Sequence, residues 1–345
     1  MPSLDRYRKQ TLFAPLGEAG QVRLRDGKAL VVGCGAQGSV IAESLVRAGV
    51  GLVRIVDRDF VELSNLQRQV LYDERDVAEQ LPKAEAAARK LRVINSEVVV
   101  EPVVADLTSE NIRSLAEGMQ VIVDGTDNFE TRFLVNDFAF ESGLPWVHGG
   151  CVGCHGQMMT FRPGQTICFR CLMGGVPEPG SGETCDTAGV LGPAVNVIAS
   201  LQALDAIKIL AGLEETIEPA LTVVDLWEGT FRRLKVGEPR DEGRCTGCLT
   251  GERPWLHGTQ AARSAVLCGR NAVQITPPQA MLIGLDELAT RLAASGRVTR
   301  NPFLVKLEAA ESGYVLTVFR DGRAIVQGTE DPGMARSLYS RFVGM

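Results

Sequence analysis

No stretch of this 345-residue chain approaches the roughly 18 uninterrupted apolar residues that a membrane span needs. The first residues carry charges but no apolar run of the secretory kind, so a cytoplasmic, reducing compartment is expected. No long basic run is present. With 36 Lys and Arg against 42 Asp and Glu, the net charge is −6, which argues against nucleic acid or a membrane surface as partner. There is no internal repeat and no low-complexity tract. Cysteine, by contrast, is plentiful. Nine of them, an odd number, in a reducing compartment read as metal ligands, nucleophiles or core residues rather than as a disulfide scaffold. Hydrophobic residues at 45% and charged residues at 23% are ordinary for a soluble globular protein and exclude a disordered chain, a collagen or a coiled coil. The length suggests about two domains.

Strand-like and helix-like patterns alternate through the first half. Strands are expected over 28–33, 52–56, 97–104, 120–123 and 146–147, with helices over 39–48, 83–93 and 130–142. Alternation at this spacing means βαβ units, so the fold class is α/β, a Rossmann-like doubly wound, mostly parallel sheet. The pattern breaks over 161–192, where 174–182 is a loop by composition. A long apolar helix over 193–210 and a strand over 221–225 follow. Gly, Arg and Pro dominate 237–263. After it a helix (283–294), three strands (303–307, 314–319, 324–327) and a final helix (331–342) suggest a small α+β domain. The expected division is a nucleotide domain over 1–249, a linker over 250–264 and a C-terminal domain over 265–345.

Gly33-Cys34-Gly35-Ala36-Gln37-Gly38 follows a strand and opens a helix, the setting in which glycines let a backbone turn tightly against phosphates. Nineteen residues after Gly38, Asp57 ends the next strand, placed to accept ribose hydroxyls. Taken alone, these features suit a nicotinamide-dependent dehydrogenase. The following run, Asp57-Arg-Asp59-Phe-Val-Glu-Leu-Ser64-Asn65-Leu-Gln67-Arg68-Gln69, is more polar than a dehydrogenase needs. Lys83 opens a helix, and Asp127-Asn128 follow the strand that carries Asp124. Two cations, Arg68 and Lys83, with the Asp127 carboxylate suit a triphosphate and Mg²⁺ better than a dinucleotide.

That run, with Pro82-Lys83-Ala84 and Thr126-Asp127-Asn128 after it, resembles the ThiF/MoeB/HesA family, bacterial relatives of ubiquitin-activating enzymes. The resemblance spans about residues 6–248 and implies MgATP-dependent adenylation of the C-terminal glycine of a ubiquitin-fold sulfur carrier ending in Gly-Gly. It implies that Asp57 and Asp59 hold the ribose, that Asn65, Arg68 and Lys83 contact phosphates, and that Asp127 holds Mg²⁺. Gly33, Gly35, Ala36, Gly38, Ser64, Gln67 and Asn128 complete the implied nucleotide site. The sequence departs from the family at two places. Ala36 and Gln37 stand where the glycine loop usually carries glycine and leucine. In Arg6-Tyr-Arg8-Lys9-Gln10, Lys9 stands where the family supplies an arginine finger to a neighbouring subunit, keeping the charge without the bidentate fork. Lys9, or Arg8 beside it, is expected to act across a homodimer.

Cys168-Phe-Arg-Cys171 and Cys245-Thr-Gly-Cys248 are two C-x-x-C knuckles with Cys245 lying 74 positions after Cys171. Two knuckles complete a tetrahedral zinc site, and the resemblance implies a structural four-cysteine Zn²⁺ here. Cys151-Val-Gly-Cys154-His155 matches a haem-attachment pattern, but it has no export signal and runs into a β-like segment, so haem is rejected. Cys185 lies between a loop and a helix start, where a thiol gains nucleophilicity. The resemblance implies covalent chemistry at that position in thiamine-type members and a dispensable cysteine in molybdopterin-type ones. The favoured reading is adenylation of a ThiS-like carrier, then of a MoaD-like one. An NAD(P)-dependent oxidoreductase and a non-catalytic carrier-binding module stand as alternatives.

Overall fold

The computed structural model describes residues 4–175, 188–236, 245–257, 264–267, 271–277, 282–310 and 313–343. The chain divides into two compact units, Met1–Gln260 and Ala261–Met345.

The larger unit is built on one eight-stranded sheet in the order β3-β2-β1-β4-β5-β6-β7-β8. Its strands are β1 (Lys28–Val32), β2 (Leu52–Val56), β3 (Val99–Val103), β4 (Val121–Asp124), β5 (Trp146–Val152), β6 (His155–Phe161), β7 (Ala220–Asp225) and β8 (Thr230–Lys235). The first five run parallel, and β6 to β8 add antiparallel hairpins at one edge. The central strands carry near-continuous Val, Ile and Leu because both of their faces are covered by helices. The helices stop where a left-handed residue is available. Gly49, at φ 81°, ends Ala36–Ala48, and Gly143, at φ 77°, ends Phe129–Ser142.

Helix Gly192–Leu210 is long and apolar enough, by length and composition, to cross a membrane. In this fold it packs on helix Ala36–Ala48 and on β4, β5 and β6. Two of its polar residues are tied to the sheet. Asp205 accepts from Thr160 Oγ1 at 2.8 Å, and Gln202 is wholly buried against the sheet. On the opposite face, Trp146, Phe161, Phe133 and Phe169 form an aromatic core, with Trp146 stacked on Phe161 at 4.9 Å. Trp255 and Leu256, inside the stretch read from sequence as a linker, pack into this same core, and Trp255 stacks on Phe133 at 5.6 Å.

The smaller unit is a six-stranded antiparallel sheet in the order β11-β12-β13-β14-β10-β9. Its strands are β9 (Ser264–Leu267), β10 (Ala272–Ile275), β11 (Gly296–Arg300), β12 (Leu304–Ala309), β13 (Val315–Phe319) and β14 (Ala324–Gln327). Helices Leu285–Leu292 and Pro332–Phe342 bury Leu288, Leu292, Leu338 and Tyr339 against Val305, Val318 and Val326. Three strands here exceed the sequence expectation. Of these, β11 is an edge strand with one aliphatic residue, Val298, so no alternation marks it.

Candidate active site

Three glycines set the geometry of the turn after β1. Gly33 leaves β1 at φ 78°, and a Cβ there would stand 2.9 Å from the Gly125 carbonyl oxygen. A Cβ on Gly38 would overlap the Gly33 carbonyl, and one on Gly125 would crowd both. The end of β1, the start of helix Ala36–Ala48 and the end of β4 therefore approach backbone to backbone. Ser39 N–H donates the first intrahelical bond, to the Gly35 carbonyl, so the N–H groups of Ala36, Gln37 and Gly38 precede it, as a phosphate site requires. Gln37 does not need an apolar pocket. Its buried amide donates to Gln202 Oε1 at 3.2 Å, and Gln202 Nε2 donates to the carbonyls of Asp124 at 2.8 Å and Val147 at 3.3 Å. Gly149 makes room, since a Cβ there would overlap the Gln202 amide.

At the end of β2, Asp57 is buried. It accepts from Cys34 N–H at 2.6 Å and from Asp59 N–H at 2.7 Å, and each carboxylate oxygen retains lone-pair capacity for a ribose hydroxyl. Lys83, only 4% exposed, places Nζ 3.1 Å from Asp59 Oδ2. Its backbone N–H donates to the Asp59 carbonyl at 2.8 Å, and Phe60 bridges to Pro82, so the turn after β2 is zipped to the start of helix Lys83–Ile94. Burial pushes the Asp57 carboxyl up from its ordinary value, and the Lys83 ammonium opposes that. Cys34 is wholly buried, and burial pushes its thiol up to about 12, the behaviour of an inert core group.

The turn after Phe60 presents the remaining candidates. Asn65 is buried, with Oδ1 accepting from Glu62 N–H at 3.2 Å, while Ser64 and Gln67 are exposed. Arg68 is half-buried and donates to the Ser64 carbonyl at 3.0 Å. Gly192 lets this turn pack close, because a Cβ there would stand 3.1 Å from the Gln67 carbonyl oxygen. Asp127 is exposed beyond β4, and Asn128 caps helix Phe129–Ser142 by accepting from Thr131 N–H at 2.8 Å. The glycine turn, Asp57, Asp59 and Lys83 thus converge at the carboxyl ends of β1 and β2, with Asp127 beyond the adjacent β4.

Arg8 and Lys9 are exposed and lie elsewhere. Their segment is anchored by Tyr7 against Gly49, with Asn95 Nδ2 donating to the Tyr7 hydroxyl at 2.8 Å. That is the far end of helices Ala36–Ala48 and Lys83–Ile94, about 20 Å from the phosphate turn at 1.5 Å per residue.

One buried polar group gave no sequence signal. Asp124 and His148 are each 1% exposed, and His148 Nδ1 stands 2.7 Å from Asp124 Oδ2. The other Asp124 oxygen accepts from Thr126 N–H and Oγ1, while Arg132 Nη2 donates to the Thr126 carbonyl at 2.6 Å. Burial by itself raises the Asp124 pKa, but the bond from His148 and the Arg132 charge outweigh it and hold the carboxyl below the ordinary range. Burial pushes His148 below its ordinary value. The pair is therefore a carboxylate with a neutral imidazole that donates from Nδ1. Both groups bind protons less readily folded than unfolded, so stability is full above the free-histidine pKa of about 6.5 and falls as pH drops below it. The expected slope from His148 is at most about 1.4 kcal/mol per pH unit. Urea unfolding of wild type and His148→Asn between pH 7.5 and 5 checks this, and an equally steep loss in the variant refutes it.

Four thiols meet at the edge of the aromatic core. Sγ–Sγ distances are 3.8 Å for Cys168–Cys171, 3.6 Å for Cys168–Cys245 and 3.5 Å for Cys171–Cys248, and all four sulfurs lie within 4.8 Å of one another. A tetrahedron with Zn–S of about 2.3 Å has S···S edges of about 3.8 Å, so these residues fit zinc. Asn136 and Asp137 brace the chain beside both knuckles, accepting from Phe169 N–H at 2.8 Å and Trp255 N–H at 3.0 Å. Cys185 lies outside the described residues. Cys151 packs with Ala194 and Val195, Cys154 sits in the turn between β5 and β6, and His155 stands 3.3 Å from Asp225.

A glycine turn, a carboxylate pair and a buried lysine on the parallel half of this sheet define an α/β nucleotide-binding protein. The chain belongs to the ThiF family, which it matches over residues 7–248. It is 45% identical over 340 residues to the sulfur carrier protein ThiS adenylyltransferase of Bacillus subtilis, covering 98% of this chain and 99% of that one. It is 40% identical over 257 residues to a sulfur carrier protein adenylyltransferase of Thermus thermophilus, covering 73% of this chain and 92% of that one. Adenylyltransferase and sulfurtransferase MOCS3 of Xenopus laevis is 36% identical over 250 residues, 72% of this chain and 54% of that protein. Among solved structures, E. coli MccB with MccA-N7isoASN shares the fold at a TM-score of 0.61 and 24% identity, over 71% of this chain and 75% of that one.

Proposed function

We propose that this chain is an adenylyltransferase that uses MgATP to activate the C-terminal glycine of a ubiquitin-fold sulfur carrier, ThiS-like before MoaD-like, in the cytoplasm. The observation that carries the reading is the buried Lys83–Asp59 pair beside Asp57 and the glycine turn, in a chain 45% identical throughout to a ThiS adenylyltransferase. A nicotinamide site has no use for a buried ammonium at this place.

In this reading the carrier carboxylate attacks the α-phosphorus of ATP. A new C–O–P linkage forms, the bond to the β-phosphate oxygen breaks, and pyrophosphate leaves. The carboxylate is ionised at neutral pH, so no general base is required, and rate comes from positioning and charge neutralisation. Asp57 and Asp59 orient the ribose. Lys83, Arg68 and the N–H groups of Ala36 to Gly38 would face the phosphates. Asp127 would hold Mg²⁺, whose charge stabilises the departing pyrophosphate. The four cysteines would hold a structural zinc in a closed site. Arg8 and Lys9, remote from their own pocket, would complete the pocket of a second copy in a homodimer. Residues 1–249 would carry the catalysis, with the module over 265–345 appended to it.

ATP–pyrophosphate exchange tests the reading. Exchange should require Mg²⁺ and a Gly-Gly-ended carrier, and a ThiS-type carrier should support it better than a MoaD-type one. Carrier binding without exchange would favour the non-catalytic module.

A further inference from the structure

Tyr72 has no part in the reaction just described, yet its hydroxyl lies among the groups that do. The side chain is buried, in the turn just after Gln69, and its N–H donates to the Gln69 carbonyl at 3.2 Å. The hydroxyl oxygen stands 2.6 Å from the Cys34 carbonyl oxygen and 3.2 Å from the Lys83 carbonyl oxygen. Both partners only accept, so the single O–H proton is shared between them and faces mainly Cys34. Burial pushes the phenol well above its ordinary value, so it stays a donor at neutral pH.

These two contacts close a ring of hydrogen bonds. Asp57 Oδ2 accepts from Cys34 N–H, and Asp57 Oδ1 from Asp59 N–H. The Asp59 carbonyl accepts from Lys83 N–H, and Asp59 Oδ2 lies 3.1 Å from Lys83 Nζ. Tyr72 joins the two remaining ends, the carbonyls of Cys34 and Lys83. The main chain of Cys34 is thus held on both sides, and so is that of Lys83. The Cys34–Gly35 peptide is trans and planar, so its N–H points opposite to the carbonyl that Tyr72 holds. The hydroxyl therefore also sets the direction of the Gly35 N–H, the donor that precedes those of Ala36 to Gly38. Of the five residues in the ring, Tyr72 alone can lose its bond by the removal of one side-chain atom that meets no nucleotide in the adenylation reading.

We propose that Tyr72 is a positioning residue for adenylyl transfer: its hydroxyl, shared between the carbonyls of Cys34 and Lys83, locks the glycine turn and the Lys83 ammonium into one frame before ATP arrives. This inference rests on the ATP-activation reading above. Rate in that reading comes from placement of charge, and a misplacement of about 1 Å costs up to about a hundredfold. The plainer alternative is a buried bond that fastens two turns, which changes stability and leaves turnover per folded site alone.

The test is ATP–pyrophosphate exchange by the full-length protein, with active sites counted by calorimetric titration with MgATP. Tyr72→Phe removes the one oxygen. Tyr339→Phe is the control, since the Tyr339 hydroxyl donates to the Gly322 carbonyl at 2.7 Å within the smaller unit, so the same atom and the same kind of bond are lost elsewhere. Tyr72→Phe should lower kcat per titrated site about tenfold to a hundredfold, with KM for ATP and for the carrier nearly unchanged, the split expected of an interaction felt in the transition state. Tyr339→Phe should lower the melting temperature and keep the wild-type kcat per site. If Tyr72→Phe melts too low for assay at 25 °C, the same comparison at about 10 °C, nearer the usual temperature of maximum stability, carries the test. A wild-type kcat per site in Tyr72→Phe, or a rise in KM alone, or an equal loss in both variants, overturns the inference and leaves the enzyme reading standing. Wild-type protein without exchange overturns the enzyme reading, and the inference with it.

Discussion

A Lys83→Ala chain should lose ATP–pyrophosphate exchange by about two to three orders of magnitude, the usual cost of removing a preorganised charge that faces a developing one. Lys83 is nearly fully enclosed, so its ammonium acts through a low-dielectric medium rather than through water. Its removal also leaves Asp59 without its closest cation and Asp57 without the charge that counters its burial. Asp57 then becomes harder to ionise, and in the adenylation reading the phosphates lose a cation. Lys83→Arg should rescue little, because a planar fork does not fit where a compact ammonium lies 3.1 Å from one oxygen. A companion mixture tests the dimer reading. Lys9→Ala chains mixed with Lys83→Ala chains should regain exchange, since a mixed pair contains one pocket with Lys83 intact and Lys9 supplied by the other copy. Mixing without recovery would place Lys9 outside the mechanism.

Removal of the metal should be nearly as damaging to the fold. One zinc per chain is expected by elemental analysis. Stripping it with a chelator, or replacing Cys171 by serine, should cost about 3–5 kcal/mol, conservative beside the roughly 10 kcal/mol or more of isolated zinc modules. For a unit of this size that is a fall in melting temperature of roughly 10 °C. The cause is topological. The two knuckles are far apart in sequence, and between them run the crossover helix Gly192–Leu210 and the hairpin of β7 and β8. Four full ligands leave no open position, so exchange activity should track the folded fraction and show no separate loss. Unchanged melting after metal is stripped would refute this.

The parts of the molecule that the sequence makes legible share a physical reason: local pattern decides them. The strands over 28–32 and 121–124 are buried after their first residue or throughout and read as runs of Val, Ile and Leu, and 52–56 reads likewise apart from the half-buried Arg54. The glycine turn is legible because no other residue tolerates those backbone approaches. Strand β8 fails for the opposite reason. In Thr230–Lys235 nearly every side chain is exposed, so no alternation separates its faces. The Asp124–His148 pair depends on which strands lie side by side, and β4–β5 adjacency is a property of the sheet, not of any segment. The knuckles are legible as pairs by their spacing, and their meeting across 74 positions, which the resemblance implies, is what the fold brings about.

The bond between Gln37 and Gln202 restricts how this sequence can change. Leucine at position 37 alone would leave the Gln202 Oε1 enclosed without its donor, a penalty of about 1–3 kcal/mol. A shorter residue at 202 alone would strand the Asp124 carbonyl and open a void over Gly149. The two positions are therefore epistatic: the cost of a change at one depends on the residue at the other.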